Sequence, residues 1–323
     1  MRPNRRQLRL DQYRRIVTSI VAESGDLHLD ANETAMFARQ LEEIDATLYR
    51  VIYPELKGTL IVPVKADINP GAEEYTYRVM DYVGQSKVIA NYADDLPRVD
   101  VQGFERTAKL FGHGASYGYS IQDLRRSRMT GTPLDQERAL AVRETILRKN
   151  DSIIASGESS LGITGFANNA DVSLVTPATG TWSTATGQEM VDDLLKLERT
   201  IFSDSKGAEN PDSAALPPSL FALIATKKMS ENSDVTALEF FLKKSLFIKS
   251  VEHWYPLETA GAGSVARIVG YRRDPSKVQA LMPLEFEQQP PQQKNLAFVV
   301  NCDARVGGVI FRYPGSARYM DGC

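Results

Sequence analysis

Cysteine, histidine and tryptophan are scarce in this chain of 323 residues: two, three and two respectively. Cys302 and Cys323 cannot build a disulfide framework, and His28, His113 and His253 do not fall at the paired Cys/His spacings that hold zinc. Free thiols are expected. No run approaches the roughly 18 consecutive apolar residues of a membrane span, and the N-terminus lacks the apolar core of a secretion signal. A cytosolic protein with no membrane contact is therefore expected. No P-loop and no internal repeat is present. An excess of one charge is also missing: 38 basic and 41 acidic residues give a net charge of −3, so the chain should not coat nucleic acid over its whole surface. What remains is 42% apolar and 24% charged, ordinary for a soluble globular protein long enough for about two domains.

The most organised stretch runs from Thr132 to Gly157. Thr132 has the hydroxyl of an N-cap, Pro133 suits the first helical position because its missing N–H would be unpaired there, and Asp135 and Glu137 favour the positive end of the dipole. The spacing predicts a helix over 133–156 that Gly157 terminates. Leu134, Ala141, Val142, Thr145, Ile146 and Ile153 are read as its apolar side, and Arg138, Arg143, Glu144, Arg148 and Lys149 as the other. At about 1.5 Å per residue this is a rod of roughly 35 Å. Such a spine wants one sheet or helix pair along its apolar side and leaves the charged side for solvent or another copy of the chain.

Before it, the first fifteen residues carry Arg2, Arg5, Arg6, Arg9, Arg14 and Arg15 against the single acid Asp11, a basic arm. Asp26, His28 and Asp30 alternate as metal ligands could, but read as a polar lead-in to a helix over 31–44. From 49 to 90 the pattern turns strand-like. Leu60 to Val64 and Glu74 to Val83 are β-rich, and Asn69, Pro70 and Gly71 between them form a strong turn signal. The expected hairpin over 58–84 places Tyr75, Tyr77 and Val79 on one face and Thr76, Arg78, Met80 and Tyr82 on the other. A lone hairpin is marginal in water, so it must lean on this chain's core or a neighbour's, with Arg78 and Asp81 available for polar pairing.

After the spine, Thr186 and Glu189 form a capping box for a helix carrying Met190, Val191, Leu194, Leu195, Ile201 and Phe202. The stretch 211–218 leads into an apolar segment at 220–224, and Ser233 or Asp234 can cap a helix with Leu238, Phe241 and Leu242. Strand-like runs follow at 248–254, 265–271, 278–282, 296–302 and 306–311, with a glutamine- and proline-rich loop at 288–293. Without βαβ alternation the class is α+β.

One motif points to catalysis. Gly114, Ser116 and Gly118 fit the G-x-S-x-G nucleophile elbow, with His253 downstream as an acid/base group. The residues before it, 106–111, alternate like a half-exposed strand, whereas an elbow follows a buried central strand of a parallel sheet. A turn before a helix explains the glycines equally well, and a serine hydrolase stays the alternative of another class.

The order of segments is more specific than any one of them. The arm, the hairpin, Tyr119 to Leu124, the long helix closing on Asn150-Asp151 and Ser156-Gly157-Glu158, and Gly162 to Asn168 resemble the major capsid proteins of tailed phages, whose fold is named after phage HK-ninety-seven. Asp303 to Ala317, with its Arg-Val-Gly run and closing Pro-x-x-Ala, resembles the family's last strand pair. The segments 91–97, 216–218, 271–275 and 289–292 resemble one branch of phage and prophage members. The resemblance implies an N-terminal arm at 1–48, an extended loop at 49–90, a peripheral domain at 91–176 with the spine at 133–156, an axial domain at 177–265, and strands at 266–323 that return to both. It implies a shell subunit forming hexamers and pentamers around double-stranded DNA, held by non-specific contact, in the virion and, during assembly, in the host cytoplasm. Scaffolding, portal and decoration proteins are further implied partners, and an encapsulin-type compartment is the same-fold alternative. The founding member's Lys–Asn cross-link is not matched: Lys57, Lys65 and Lys87 lie in or beside the loop, but no partner or catalysing acid is. No cofactor, metal or catalytic residue is expected. The residues expected at interfaces are the arm arginines and, on the hairpin, Asn69, Pro70, Gly71, Tyr75, Tyr77, Arg78 and Asp81.

Overall fold

The computed structural model describes residues 53–88, 96–130, 134–230 and 234–323. The basic arm, the Asp26/His28/Asp30 group, the helix expected over 31–44 and the Thr132-Pro133 cap lie outside the described residues. In chain order come α1 (Gly58–Ile61), β1 (Val64–Lys65), β2 (Glu74–Val83), β3 (Asp100–Lys109), β4 (Phe111–Ser120), α2 (Ile121–Thr130) and α3 (Leu134–Ser156). Then follow β5 (Leu174–Val175), α4 (Gly187–Asp204), β6 (Ser213–Leu216), α5 (Pro218–Thr226), α6 (Ala237–Lys244), β7 (Ser250–His253) and β8 (Arg267–Tyr271). The chain closes with β9 (Val278–Leu281), β10 (Leu284–Gln288), β11 (Gln292–Lys294), β12 (Ala297–Val306), β13 (Val309–Phe311) and β14 (Ala317–Asp321).

The spine α3 does lie along a sheet. β12 pairs antiparallel with β4 over all ten residues and with β10 and β11 besides. Val142 and Ile146 pack on Val300, Cys302, Ala304, Tyr117 and Phe286 of that sheet. Two residues expected on this stripe are exposed: Ala141 and Thr145. At about 100° per residue they stand roughly 140° and 100° away from Ile146, off the sheet. The last turns sink deeper into the core, leaving Ser152 and Ser156 exposed. Ile153 meets Ile163 and Val306, while Ile154 and Ala155 join Phe166, Trp254 and Tyr271. Gly157, at φ +69°, ends the helix with its N–H on the Ile153 carbonyl.

The stretch 60–64 corrects the reading as a strand. Residues 58–61 form one helical turn because the buried Asp151 carboxylate, on the spine, accepts the Gly58 N–H at 2.6 Å. The expected hairpin changes with it. β1 pairs parallel with β9, and β2 pairs antiparallel with β3 across ten residue pairs, from Glu74 opposite Lys109 to Val83 opposite Asp100. The turn at 69–71 exists, with Gly71 N–H on Asn69 Oδ1 at 2.8 Å, but it only redirects the chain into β2. The hairpin is therefore 74–109, and its second strand lies inside the range expected for the peripheral domain.

A five-stranded sheet in the order β5-β14-β8-β6-β7 forms the other main body. One face carries Ala214, Leu216, Ile268 and Met320 against α4, α5 and α6; the other carries Ala215, Val269, Tyr271 and Tyr319 into the core with Phe166 and Trp254. The capping box at Thr186 and Glu189 is present. Thr236, not Ser233 or Asp234, caps α6. Phe202 is exposed, and the buried acids of α4 were not anticipated: Asp193 accepts from Ala178 N, Thr179 Oγ1 and Trp182 Nε1, and Glu198 from Ser245 Oγ and the Leu246 and Phe247 amides. Each donor inside a dry body needs such an acceptor. Of the run expected at 288–293 as a loop, 289–291 is loop, while 288 closes β10 and 292–293 open β11.

Candidate assembly surface

The hairpin is two structures in one. In β2 the side chains alternate, and the register puts Tyr75, Tyr77 and Val79 on one face with Ala108, Arg106 and Phe104. At the root, Tyr75, Tyr77 and Ala108 pack against Leu110, Leu281 and Ile310, so these two tyrosines serve their own subunit. Beyond Val79 the burial stops. Met80 is 65% exposed, Tyr82 78% and Val101 53%, all on one face, while Val83 and Phe104 are exposed on the other. Among the described residues, no third layer covers either face of the two strands. Arg78 is paired within the hairpin, Nε to Glu105 Oε1 at 2.7 Å, and Asp81 stands opposite Gln102. Of the residues expected to meet a neighbour, Tyr75, Tyr77 and Arg78 thus have partners at home, and Asn69, Pro70 and Gly71 sit at the root. Val101 and Phe104 were missed because their strand lies past an intervening segment with no two-residue turn signal.

The outer side of α3 carries the Arg148–Glu144 pair, Nε to Oε1 at 3.4 Å. Two residues expected there turn to the sheet instead: Arg143 lies over the Phe286 ring and Arg138 Nη1 donates to the Gly118 carbonyl. Lys149 is exposed, and its Nζ donates to Glu158 Oε2 at 2.7 Å. That hydrogen bond from Lys149 holds the Glu158 carboxyl below its usual range. At the start of α2, Ser120 Oγ accepts from the Asp123 amide at 3.0 Å and Asp123 Oδ2 from the Ser120 amide, a reciprocal cap that lowers the Asp123 carboxyl.

No nucleophile elbow forms at Ser116. It lies mid-strand in β4, opposite Asn301, and Gly114 is required for a different reason: a Cβ there would stand 2.6 Å from the Cys302 carbonyl oxygen. His253 is in β7, on another sheet, where Nε2 meets Lys57 Nζ at 3.0 Å. The elbow and the turn-before-helix explanations of these glycines both give way to close strand pairing. No group of metal-ligating side chains occurs among the described residues, and no described helix is long and apolar enough to cross a membrane.

A sequence-family model described as "Major capsid protein" matches residues 84–323, well over half of the chain. The chain belongs to the major capsid protein family. The fold of this capsid protein is similar to the capsid of Myoviridae Phage XM1 at 15% identity and a TM-score of 0.81, covering 90% of this chain and 99% of that one. It is similar to a Mycobacterium phage Bobi structure at 13% identity and a TM-score of 0.61, over 88% and 96%. A virus-like particle from Pyrococcus furiosus aligns at 11% identity and a TM-score of 0.51, over 81% and 91%. Among curated proteins no significant match is found. The protein is thus a capsid shell protein with the HK-ninety-seven-like fold that these capsid structures share, and the resemblance read from the order of its segments holds.

Proposed function

We propose that this capsid protein assembles as hexamers and pentamers of a closed icosahedral shell around double-stranded phage DNA, each hairpin laying its outer half over the charged side of a neighbour's spine helix. The observation that carries this is the exposure of Met80, Tyr82 and Val101 on one face and of Val83 and Phe104 on the other, on a two-stranded element that no other described residues cover. Repeated copies supply the cover, because a point-group assembly presents the same acceptor surface to every hairpin. In this reading the hairpin is the extended loop, residues 91–176 outside it form the peripheral domain on the spine, and 177–265 the axial domain. The five-stranded sheet, which draws β8 and β14 back to β6 and β7, supports that division. The six arm arginines pair with acidic patches on a neighbouring subunit in preference to packaged DNA, since phosphate binding without sequence readout weakens steeply with salt. Scaffolding, portal and decoration proteins are the further partners, the host cytoplasm is the place of assembly, and no residue is assigned a catalytic role. Electron microscopy of the purified full chain tests the proposal. Uniform closed particles are expected, and a stable monomer under every assembly condition would count against it. Nucleic acid inside the particles supports a genome shell, whereas an enclosed enzyme points to a cargo compartment. Labelling of Ser116 by an organophosphonate would contradict the purely structural role.

A further inference from the structure

The hairpin's root is tied to the rest of the subunit by contacts that strand pairing does not require, and Arg312 is at their centre. Its Nη1 donates to the Pro275 carbonyl at 2.5 Å and its Nη2 to Gln279 Oε1 at 2.8 Å, which fixes the guanidinium plane on the β9 side. Against that plane lean the two root tyrosines. Arg312 Cζ stands 5.9 Å from the Tyr77 ring centre, and Nη2 lies 3.4 Å from Tyr75 Oη. Opposite Tyr77 in the register, Arg106 Nη1 donates to Asp171 Oδ2 at 2.5 Å, on the loop that follows the spine. Tyr77, Arg106 and Asp171, though not Arg312 itself, also border a cavity of about 400 Å³ that Thr164 and Ile310 help to line.

The cavity decides how the hairpin's direction is set. A solidly filled root would have its angle dictated by interdigitating side chains. Here Tyr77 packs on Leu110, Leu281 and Ile310 on one side and borders open space on the other, so packing alone does not fix the angle and discrete ties share in setting it. The lever is long: the six residue steps from Tyr77 to Val83 span about 20 Å, and a tilt of roughly 15° at the root moves the end by about 5 Å. That displacement equals the spacing of neighbouring strands and is enough to miss a partner surface. We propose that Arg312 is the positioning residue that sets the angle at which the hairpin leaves the subunit, with the Arg106–Asp171 pair as a second strut. The consequence for shell closure rests on the assembly reading above; the angle itself does not.

The test places spin labels at the exposed positions Gln102→Cys, on the hairpin, and Ser152→Cys, on the spine, in the full chain diluted into an excess of unlabelled chain. Cys302 and Cys323 are buried and stay unlabelled. The parent gives one narrow distance distribution. Adding Arg312→Gln, or Arg312→Lys, which keeps the charge but not the fork, broadens it and lowers the yield of closed particles severalfold. A distribution as narrow as the parent's in Arg312→Gln overturns the assignment. Should that variant not fold, Tyr77→Leu, which keeps an apolar root and removes the ring, is judged by the same criterion. If the parent makes no shells at all, the assembly reading fails while the distance comparison still decides this one.

Discussion

Replacing Met80, Tyr82 and Val101 together by threonine removes one apolar face of the hairpin's outer half while keeping β-compatible side chains. The three are 65%, 78% and 53% exposed, so the isolated subunit draws little stability from them. Complete burial of such a side chain is worth about 1.5–3 kcal/mol, and the fractions still open leave roughly 1–2 kcal/mol each for a neighbour to gain. The triple variant should therefore lose about 3–5 kcal/mol per hairpin contact, or roughly two to four orders of magnitude in the association constant. Folding should move by no more than about 0.5 kcal/mol per site, as for exposed substitutions in general. Sedimentation velocity should then show the parent as fast particles and the variant as subunits or small oligomers at the same concentration. Circular dichroism should give both the same unfolding midpoint. If the variant closes shells as readily as the parent, or its midpoint falls by several degrees, the face is not an inter-subunit surface and the argument from exposure is wrong.

Burial raises the Asp151 carboxyl above its usual range although Gly58 N–H and Trp254 Nε1 donate to it. The folded chain then holds this proton more tightly than the unfolded one, so the contribution is present below the ordinary carboxylate range and is lost as pH rises through the raised value. Asp151→Asn should flatten that fall between acid and neutral pH in urea-unfolding midpoints; parallel profiles for parent and variant would refute it. The lowered carboxyls, Asp123, Glu158, Glu189 and Asp274, slope the other way but are common to both proteins and cancel in the comparison. Burial also pushes the thiols up, Cys323 to about 12, so neither cysteine should react with a maleimide at neutral pH until the chain unfolds, and fast labelling of the native protein would contradict this packing. Changing Arg2, Arg5, Arg6 and Arg9 to serine should reduce particle stability or genome retention without altering the subunit's unfolding; particles that package and survive as the parent's do would leave the arm without a role.

How much of this was legible depended on whether a segment's fate was decided locally. The spine announced itself because a 23-residue helix with a glycine stop needs only its own periodicity, and the capping box at Thr186 is a four-residue affair. β6 was invisible for the opposite reason. Ser213 to Leu216 are buried on both faces of the five-stranded sheet, so no period-two alternation exists to read, and flanking prolines suggested a lead-in. The hairpin was half legible. β2 was placed to the residue, but its partner is chosen by pairing across an intervening segment, and the nearby Asn69-Pro70-Gly71 turn supplied a plausible wrong one. Residues 60 and 61 favour a strand by type and become part of a helical turn because a carboxylate 93 positions away takes the Gly58 N–H. Of the interface, the apolar character of both hairpin faces could be read, whereas the division into a root and an uncovered outer half, with Arg78 already paired to Glu105, needed the fold.

The most direct measurement is a cryo-electron microscopy map of the assembled particle at side-chain resolution. It should show Met80, Tyr82 and Val101 of every hairpin covered by an adjacent copy, over the charged side of its spine helix. A closed shell in which those residues face solvent, or fold back onto their own subunit, would contradict the account.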